Sequence, residues 1–438
     1  MAIENTEEGL KRVVGIPGLA ATVVNFSIGA GIYALPALIG IQLGPYGVIG
    51  YLLCGLMFTA IILCYVEVGS RIKNTGGSYA YVEAAFGPFA GFIVNWLFFF
   101  GWGILSDAAI MNLVADSLAL LFPIFAGWWM RFLLIASLVG LMVLINVRDV
   151  RRSMRIVSLV TLIKLIPLLW IIFFGVRYIQ PDNLRMEHWP PLSAFNNTAL
   201  ILFFAFAGFE SSLTVSGEIK NPKRTVPLGI LIGGLTVFII YILIQTITQG
   251  VLGTTLSEVK DAPLAAIAEK IAGPVGITIL LMAAAVSGLG AVNGDVLASS
   301  RLLYAGARDR LFPTYLSRIH SRFATPHMAV MTYAGLILIF SISGGFKQLA
   351  ILASGALLLI YLGVILALIK LRMTKDDHPE KSFRVPGGLW IPGMAIAAII
   401  YVLSNLSMQE KISIGVFVGA VCVIYVVMKQ VQGAGQRA

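Results

Sequence analysis

The sequence predicts an all-α membrane protein with twelve transmembrane helices, and two observations support that prediction. First, 58% of the 438 residues are hydrophobic and only 12% are charged, whereas soluble domains carry about 25% charged residues. The mean hydropathy is accordingly +0.90. Second, apolar segments of about 20 residues, the length of a helix that crosses a bilayer, recur along the whole chain. An ordinary soluble domain is therefore excluded.

Twelve segments meet this criterion in length and composition. In chain order they cover approximately residues 16–41, 46–70, 89–122, 128–146, 154–178, 194–217, 226–251, 274–304, 327–343, 347–371, 390–408 and 412–429. An even number of spans places both termini on one side of the membrane. Most Lys and Arg residues lie in the loops on the N-terminal side, so the positive-inside rule predicts cytoplasmic termini in a cell membrane. This distribution also explains the net charge of +10 better than nucleic-acid binding does.

Glycine-rich stretches interrupt the first and the sixth of these segments. They are Ser27–Pro36, SIGAGIYALP, and Phe203–Ser212, FFAFAGFESS. Unwound backbone in hydrocarbon is tolerated only where it is buried in protein or lines a cavity. Close packing of membrane helices is the alternative explanation for such glycines. The paired placement of the breaks favours a binding site.

The breaks occupy corresponding positions in two halves of five helices each, as in transporters built from inverted repeats. We therefore expect a first repeat over 16–178 and a second over 194–371. Helices 11 and 12, over 390–429, lie outside the repeat. Short cytoplasmic tails over 1–15 and 430–438 complete the chain, and the first tail lacks the pattern of a cleavable signal peptide.

The backbone beside such breaks offers unpaired N–H and C=O groups. Unpaired N–H groups suit a carboxylate and unpaired carbonyls suit an ammonium, so an amino acid zwitterion matches both. The candidate substrate-binding positions are Ser27, Gly29, Ala30, Gly31, Phe204, Ala207 and Gly208. Anion binding at a helix start is common, so this pattern alone indicates the substrate class only weakly.

Two ionisable residues near the breaks are candidates for proton coupling. Lys164 lies in the middle of the fifth span, too deep to reach an interface, and its protonation should respond to occupancy of the site. We interpret it as the coupling-proton carrier, with a permanent ion pair as the alternative. Glu210 directly follows the second break and could either exchange a proton or tie the broken helix by hydrogen bonds.

Two aspartates also lie deep within apolar segments, Asp107 in the third span and Asp295 in the eighth. Either could face the side chain of a cationic substrate, pair with Lys164, or hold helices together. The sequence does not separate these roles.

Other chemistry finds no support in the sequence. The four histidines, at positions 188, 320, 327 and 378, lie in loops without ligand spacing, so no metal site is predicted. A Walker loop, a nucleophile elbow and an HExxH motif are all missing. We therefore expect neither an enzyme nor a cofactor.

Five stretches resemble the amino acid–polyamine–organocation (APC) superfamily of transporters. GAGIYALP is similar to its helix 1 signature and FFAFAGFES to that of helix 6. The remaining three are VEVGSRIKNTGGSYAYVEAAFGPFAGF, SGEIKNPKRTVP and SRLLYAGARDRLFP, which follow spans two, six and eight. Together they cover most of residues 16–320 in the order expected of the superfamily.

The resemblance implies the LeuT-like fold, a 5+5 inverted repeat with two extra helices, working by alternating access. It implies that the amides of Ala30 and Gly31 bind the substrate carboxylate and that carbonyls near the breaks bind the amine. Ser106 falls where helix 3 contacts the substrate side chain. Lys164 matches a helix 5 lysine that replaces a sodium ion in proton-coupled members. Asp107 and Asp295 depart from the usual neutral residues.

The sequence thus predicts a permease that imports a small L-amino acid together with a proton, H+ being the coupling ion. An exchanger, or a permease for cationic amino acids or polyamines, is the alternative. A sensor that keeps a transporter fold without transporting is also left open, as is the choice between monomer and homodimer.

Overall fold

The computed structural model of this chain is built from α-helices joined by short turns. It describes residues 14–72, 77–148, 164–213, 219–308, 312–374, 384–385 and 387–435. Within those ranges, Val14 and Ile219 form an isolated parallel β-bridge. Lys220 N–H donates to the Val14 carbonyl oxygen at 2.9 Å, which joins the start of the first helix to the start of a later one.

Among the described residues, the first half of the chain supplies eight helices. They are α1 (Ile16–Ser27), α2 (Leu35–Leu43), α3 (Gly47–Arg71), α4 (Ser78–Phe86), α5 (Pro88–Trp96), α6 (Ile104–Leu121), α7 (Trp128–Arg148) and α8 (164–175). The described part of the second half supplies seven. They are α9 (Leu192–Phe206), α10 (Pro222–Leu252), α11 (Pro263–Arg308), α12 (His327–Ser343), α13 (Phe346–Met373), α14 (Trp390–Ser404) and α15 (Met408–Gly435).

Membrane-spanning character is confirmed for much of this set. Among the described residues, eight helical stretches are long and apolar enough to cross a membrane, and α1, α12 and α14 are shorter apolar helices. The fifth predicted span lies only partly within the described residues, where it corresponds to α8. The count of twelve crossings stays a prediction.

Both predicted helix breaks are present. α1 ends at Ser27, a 3₁₀ turn covers Ala30–Tyr33, and α2 follows. α9 ends at Phe206, and a 3₁₀ turn covers Phe209–Leu213. In both places a few non-helical residues separate two helical pieces, as the glycine pattern predicted.

Two further irregularities were not predicted. A π-helical stretch, Leu97–Gly103, joins α5 to α6 within the third span, and such stretches often occur at functional sites. α11 begins eleven residues before the predicted start at 274, and its backbone leaves helical geometry at Ala272 (φ −135°) and Gly273 (φ 64°). Pro274 follows this kink directly and has no N–H to donate.

Close helix packing fixes the position of α1 against α10. A Cβ at Gly229 would stand 2.8 Å from Leu19, and one at Gly233 would stand 2.7 Å from Val23. Small residues four positions apart let membrane helices approach each other closely. The two glycines therefore let the first turns of α1 pack closely against α10.

Candidate functional site

The two breaks meet around a small cavity, here called the central cavity, with a volume of about 40 Å³. Its lining comes from the first break, from α6 and the π-helical stretch, from the end of α9, and from α10. The residues are Phe26, Ser27, Gly29, Gly31, Ile32, Leu35, Trp102, Ser106, Ile110, Phe204, Ala205, Ala207 and Tyr241. Six of the predicted substrate-binding residues, from three separate parts of the chain, thus share one space.

A larger space, the adjoining cavity, lies next to the central cavity and has a volume of about 370 Å³. The two share Phe26, Gly29, Trp102, Ser106 and Ile110 in their linings. The adjoining cavity adds Gly208 and Asp295. It lies on the side of the breaks that holds Asn25 and Phe26, the residues before the first break, which are also in its lining.

The backbone at the first break combines internal hydrogen bonds with unpaired groups. Gly29 N–H donates to the Ser27 carbonyl oxygen at 3.0 Å, and the Tyr241 hydroxyl donates to the same oxygen at 2.7 Å. The amides of Ala30 and Gly31 head the 3₁₀ turn, and the first amides of a helical turn have no acceptor within it. These amides are the donors that the break offers to an anion.

Glycine is needed at position 31 for space. A Cβ there would stand 3.3 Å from Leu35 and 3.5 Å from the ring of Phe204. At Gly29 the nearest atom, on Ile110, would be 4.0 Å away. A side chain at position 31 would therefore reduce the central cavity more than one at position 29.

Position 208 requires glycine both for its backbone conformation and for space. Gly208 has φ +111°, and a Cβ there would stand 2.6 Å from the Phe26 carbonyl oxygen. Its N–H donates to both carboxylate oxygens of Glu210, at 3.2 and 3.0 Å. This residue is where the second break contacts the end of α1.

Glu210 connects that break to α13. The Tyr361 hydroxyl donates to Glu210 Oε2 at 2.8 Å, and the glutamate is 1% exposed. These hydrogen bonds tie the second break to α13, and the exchange of a proton by Glu210 stays a prediction.

Lys164 contacts both the helix before the first break and the 3₁₀ turn within it. Its Nζ donates to the carbonyl oxygen of Asn25, in the last turn of α1, at 2.5 Å. The hydroxyl of Tyr33, in that turn, donates to the backbone oxygen of Lys164 at 3.4 Å. The lysine is 2% exposed, so it is sensitive to any displacement of the end of α1.

The two deep aspartates differ in their surroundings. Asp107 is 1% exposed, and its Oδ2 accepts a hydrogen bond from the Tyr333 hydroxyl at 3.0 Å. Asp295 is partly exposed and lines the adjoining cavity. The carboxyls of the pair lie within hydrogen-bonding range of each other, and Asp295 lies close enough to Lys164 to attract its ammonium.

Three tyrosines belong to this site although the sequence reasoning missed them. Tyr241, Tyr333 and Tyr361 donate to Ser27, Asp107 and Glu210 respectively. All three are at most 1% exposed. A deeply buried tyrosine hydroxyl usually needs a partner, and that requirement is the signal that could have drawn attention to them.

Aromatic rings close one side of the central cavity. The rings of Trp102 and Phe204 meet edge to face at 5.8 Å between centroids, and Phe204 meets Phe346 at the same distance.

No group of three or more His, Cys, Asp or Glu side chains that could hold a metal ion occurs among the residues with described positions.

Known proteins resemble this chain over nearly its whole length. A family model described as "Amino acid permease" matches residues 15–429. The chain is 26% identical over 442 residues to the branched-chain amino acid permease BcaP of Bacillus subtilis, covering 93% of this chain and 90% of that protein. It is 26% identical over 418 residues to the serine/threonine exchanger SteT of the same organism, covering 93% and 94%. It is 29% identical over 421 residues to the human cystine/glutamate transporter, covering 93% and 82%.

Proposed function

We propose a function for this chain on the premise that it belongs to the amino acid permease family and is a transporter rather than an enzyme. The proposed function is the import of small L-amino acids by proton symport. Import would proceed by alternating access through the central cavity. The proposal includes the 5+5 repeat of LeuT-like transporters, two extra helices and cytoplasmic termini in a cell membrane. The observation that carries the symport proposal is the hydrogen bond from Lys164 to the Asn25 carbonyl oxygen at the end of α1. The next two residues of the chain, Phe26 and Ser27, line the central cavity.

The shape of the central cavity supports a small, uncharged side chain on the substrate. Amides of Ala30 and Gly31 are available for the carboxylate, and α9 ends at Phe206, which leaves carbonyls of its last turn for the amine. The volume of about 40 Å³ and apolar neighbours such as Ile32 and Ile110 leave little room beyond these groups. Ser106 lines both cavities, so its hydroxyl is the group proposed to contact the substrate side chain.

With cytoplasmic termini, this conformation would be an inward-facing state. α1 then enters the membrane from the cytoplasm, so Asn25 and Phe26 lie on the cytoplasmic side of the first break. Asn25 lines the adjoining cavity and not the central one. That cavity would therefore be the route by which substrate leaves for the cytoplasm.

The proposed coupling depends on the charge of Lys164. A protonated lysine holds the Asn25 carbonyl by a charge-assisted hydrogen bond, which is roughly twice as strong as a neutral one. Loss of the proton weakens that bond and frees the end of α1 to move. Proton release and movement at the substrate site would thereby be linked.

Uptake into proteoliposomes tests this proposal. Wild-type protein should accumulate a radiolabelled small neutral amino acid when an inward proton gradient is imposed. The Lys164→Ala variant should still bind that amino acid but should lose the response to the gradient.

Lys270→Ala provides a matched control. Lys270 also donates to a helix-terminal carbonyl, Val251 O at 3.0 Å, but it lies away from both breaks. Its replacement should leave the gradient response unchanged. Equal loss in both variants would contradict a specific role for Lys164.

Exchange is the second candidate function, because one relative is named a serine/threonine exchanger. An exchanger would need internal amino acid for uptake and would ignore the gradient. Measuring uptake into vesicles loaded with and without internal substrate distinguishes the two functions.

A further inference from the structure

The carboxyl groups of Asp107 and Asp295 face each other between α6 and α11. Asp107 Oδ2 accepts the Tyr333 hydroxyl at 3.0 Å. Asp107 Oδ1 is buried and receives no N–H or O–H donor from the described part of the protein. Its neighbour is the carboxyl of Asp295, within hydrogen-bonding range. A buried oxygen without a donor is unusual, because leaving one unpaired costs about 1–3 kcal/mol.

The surrounding charges come from several helices. Lys164 on α8 attracts Asp295, and Glu210, after α9, repels it. Tyr333 on α12 contacts Asp107 and interacts with Ser299 on α11. Glu210 is held separately by Gly208 and Tyr361. The aspartate pair and Lys164 therefore form one group of charges, with Glu210 next to it.

Two ionised carboxylates in contact would repel strongly where one of them is enclosed by protein, as Asp107 is, since the Coulomb energy rises as the dielectric constant falls. Carboxyl pairs elsewhere avoid this by sharing one proton between the two groups. A shared proton would also supply the donor that Asp107 Oδ1 lacks. The pair would then carry one negative charge, which the ammonium of Lys164 balances, so the group as a whole would be neutral within the membrane.

We propose that Asp107 and Asp295 bind one proton between them, and that this proton site is distinct from Lys164 and exchanges with the adjoining cavity through Asp295. Asp295 lines that cavity, whereas Asp107 is enclosed by the helices. Any role of the aspartate pair in coupling proton movement to transport rests on the proposed function, because loss of the Lys164 proton would remove the charge that balances the pair. The shared proton itself does not rest on it.

Infrared spectroscopy of the purified protein in lipid, near pH 7 and without substrate or gradient, tests the proton site directly. A protonated carboxyl gives a C=O stretching band that shifts in D₂O. We expect such a band in the wild type and its loss in both Asp107→Asn and Asp295→Asn. In each variant the new amide N–H replaces the shared proton, so the remaining carboxylate is ionised.

Two matched controls assign the band. Asp116→Asn removes a carboxylate of the same helix that is paired with Arg131 instead, and Glu210→Gln removes the other buried carboxyl nearby. Both should keep the band. Absence of the band in the wild type, or its survival in both Asp107→Asn and Asp295→Asn, would overturn the proposal.

A third variant guards against misfolding of the aspartate variants. Tyr333→Phe removes the donor to Asp107 Oδ2 but preserves the packing of the ring. The band should remain and move to higher wavenumber, because the carboxyl loses a hydrogen bond. A band at an unchanged position would mean that it belongs to another carboxyl, and the shared proton would be rejected.

The infrared measurement also distinguishes a shared proton from recognition of a cationic substrate by the aspartate pair. A wild type that lacks the band but binds lysine, and loses that binding in Asp295→Asn, would assign the pair to substrate recognition and overturn the proton site. Transport need not be measured for this decision. The shared proton and the symport mechanism can therefore fail independently.

Discussion

A Cβ atom on residue 208 would stand 2.6 Å from the carbonyl oxygen of Phe26. The contact joins the second helix break to the end of α1, so the two broken helices meet at backbone distance. This approach brings the substrate-binding candidates of both breaks into one cavity.

Replacing Gly208 with alanine should abolish uptake. The residue has φ +111°, which costs an alanine about 1–3 kcal/mol, and the new methyl group would push α1 away. Uptake by proteoliposomes and the thermal unfolding midpoint in detergent measure the two effects. Gly335→Ala is the control, because a Cβ there meets no atom within 4 Å. Wild-type uptake by Gly208→Ala would contradict this account of the contact.

Replacing Gly31 with alanine should raise the KM for substrate about tenfold, corresponding to ~1.4 kcal/mol. The added methyl group would lie 3.3 Å from Leu35 and 3.5 Å from Phe204, inside the central cavity. Gly29→Ala should have a smaller effect, since its Cβ has 4.0 Å of clearance. A larger rise in KM for Gly29→Ala than for Gly31→Ala would argue against this position of the substrate.

Removing the Tyr361 hydroxyl should destabilise the protein without changing its coupling. Tyr361→Phe takes away one donor to the buried Glu210 carboxylate, a loss of about 1–3 kcal/mol. The unfolding midpoint should fall, as measured by thermal denaturation in detergent. Tyr401→Phe is the control, because Tyr401 is 42% exposed.

Glu210→Gln should keep the response of uptake to a proton gradient. The hydrogen bonds from Gly208 and Tyr361 describe a structural tie, and a glutamine oxygen can accept from the same donors. Initial uptake rates with and without the gradient provide the measurement. A variant that transports but ignores the gradient would make Glu210 a proton carrier instead.

The sequence predicted the features that depend on local composition. Glycine clusters in apolar segments placed both helix breaks, and hydropathy placed most of the described helices within a few residues, although α11 begins eleven residues before its predicted start. The charge in the middle of the fifth span identified Lys164. These features are local because unwound backbone and buried charge are costly wherever they occur in a membrane.

The features that depend on packing between helices were not predictable in the same way. Ser106 and Asp107 are adjacent, yet one residue turns a helix by about 100°, so Ser106 faces the cavity and Asp107 faces Tyr333. Which face meets which neighbour follows from how the helices pack, and a single sequence does not contain that information. The tyrosine partners and the aspartate pair were missed or left open for the same reason.

Uptake under an imposed inward proton gradient, with wild type and Lys164→Ala side by side, tests the central claim most directly. The account predicts gradient-driven accumulation by the wild type and, in the variant, retained binding without a response to the gradient. Wild-type uptake that ignores the gradient and requires internal amino acid would contradict it and identify an exchanger.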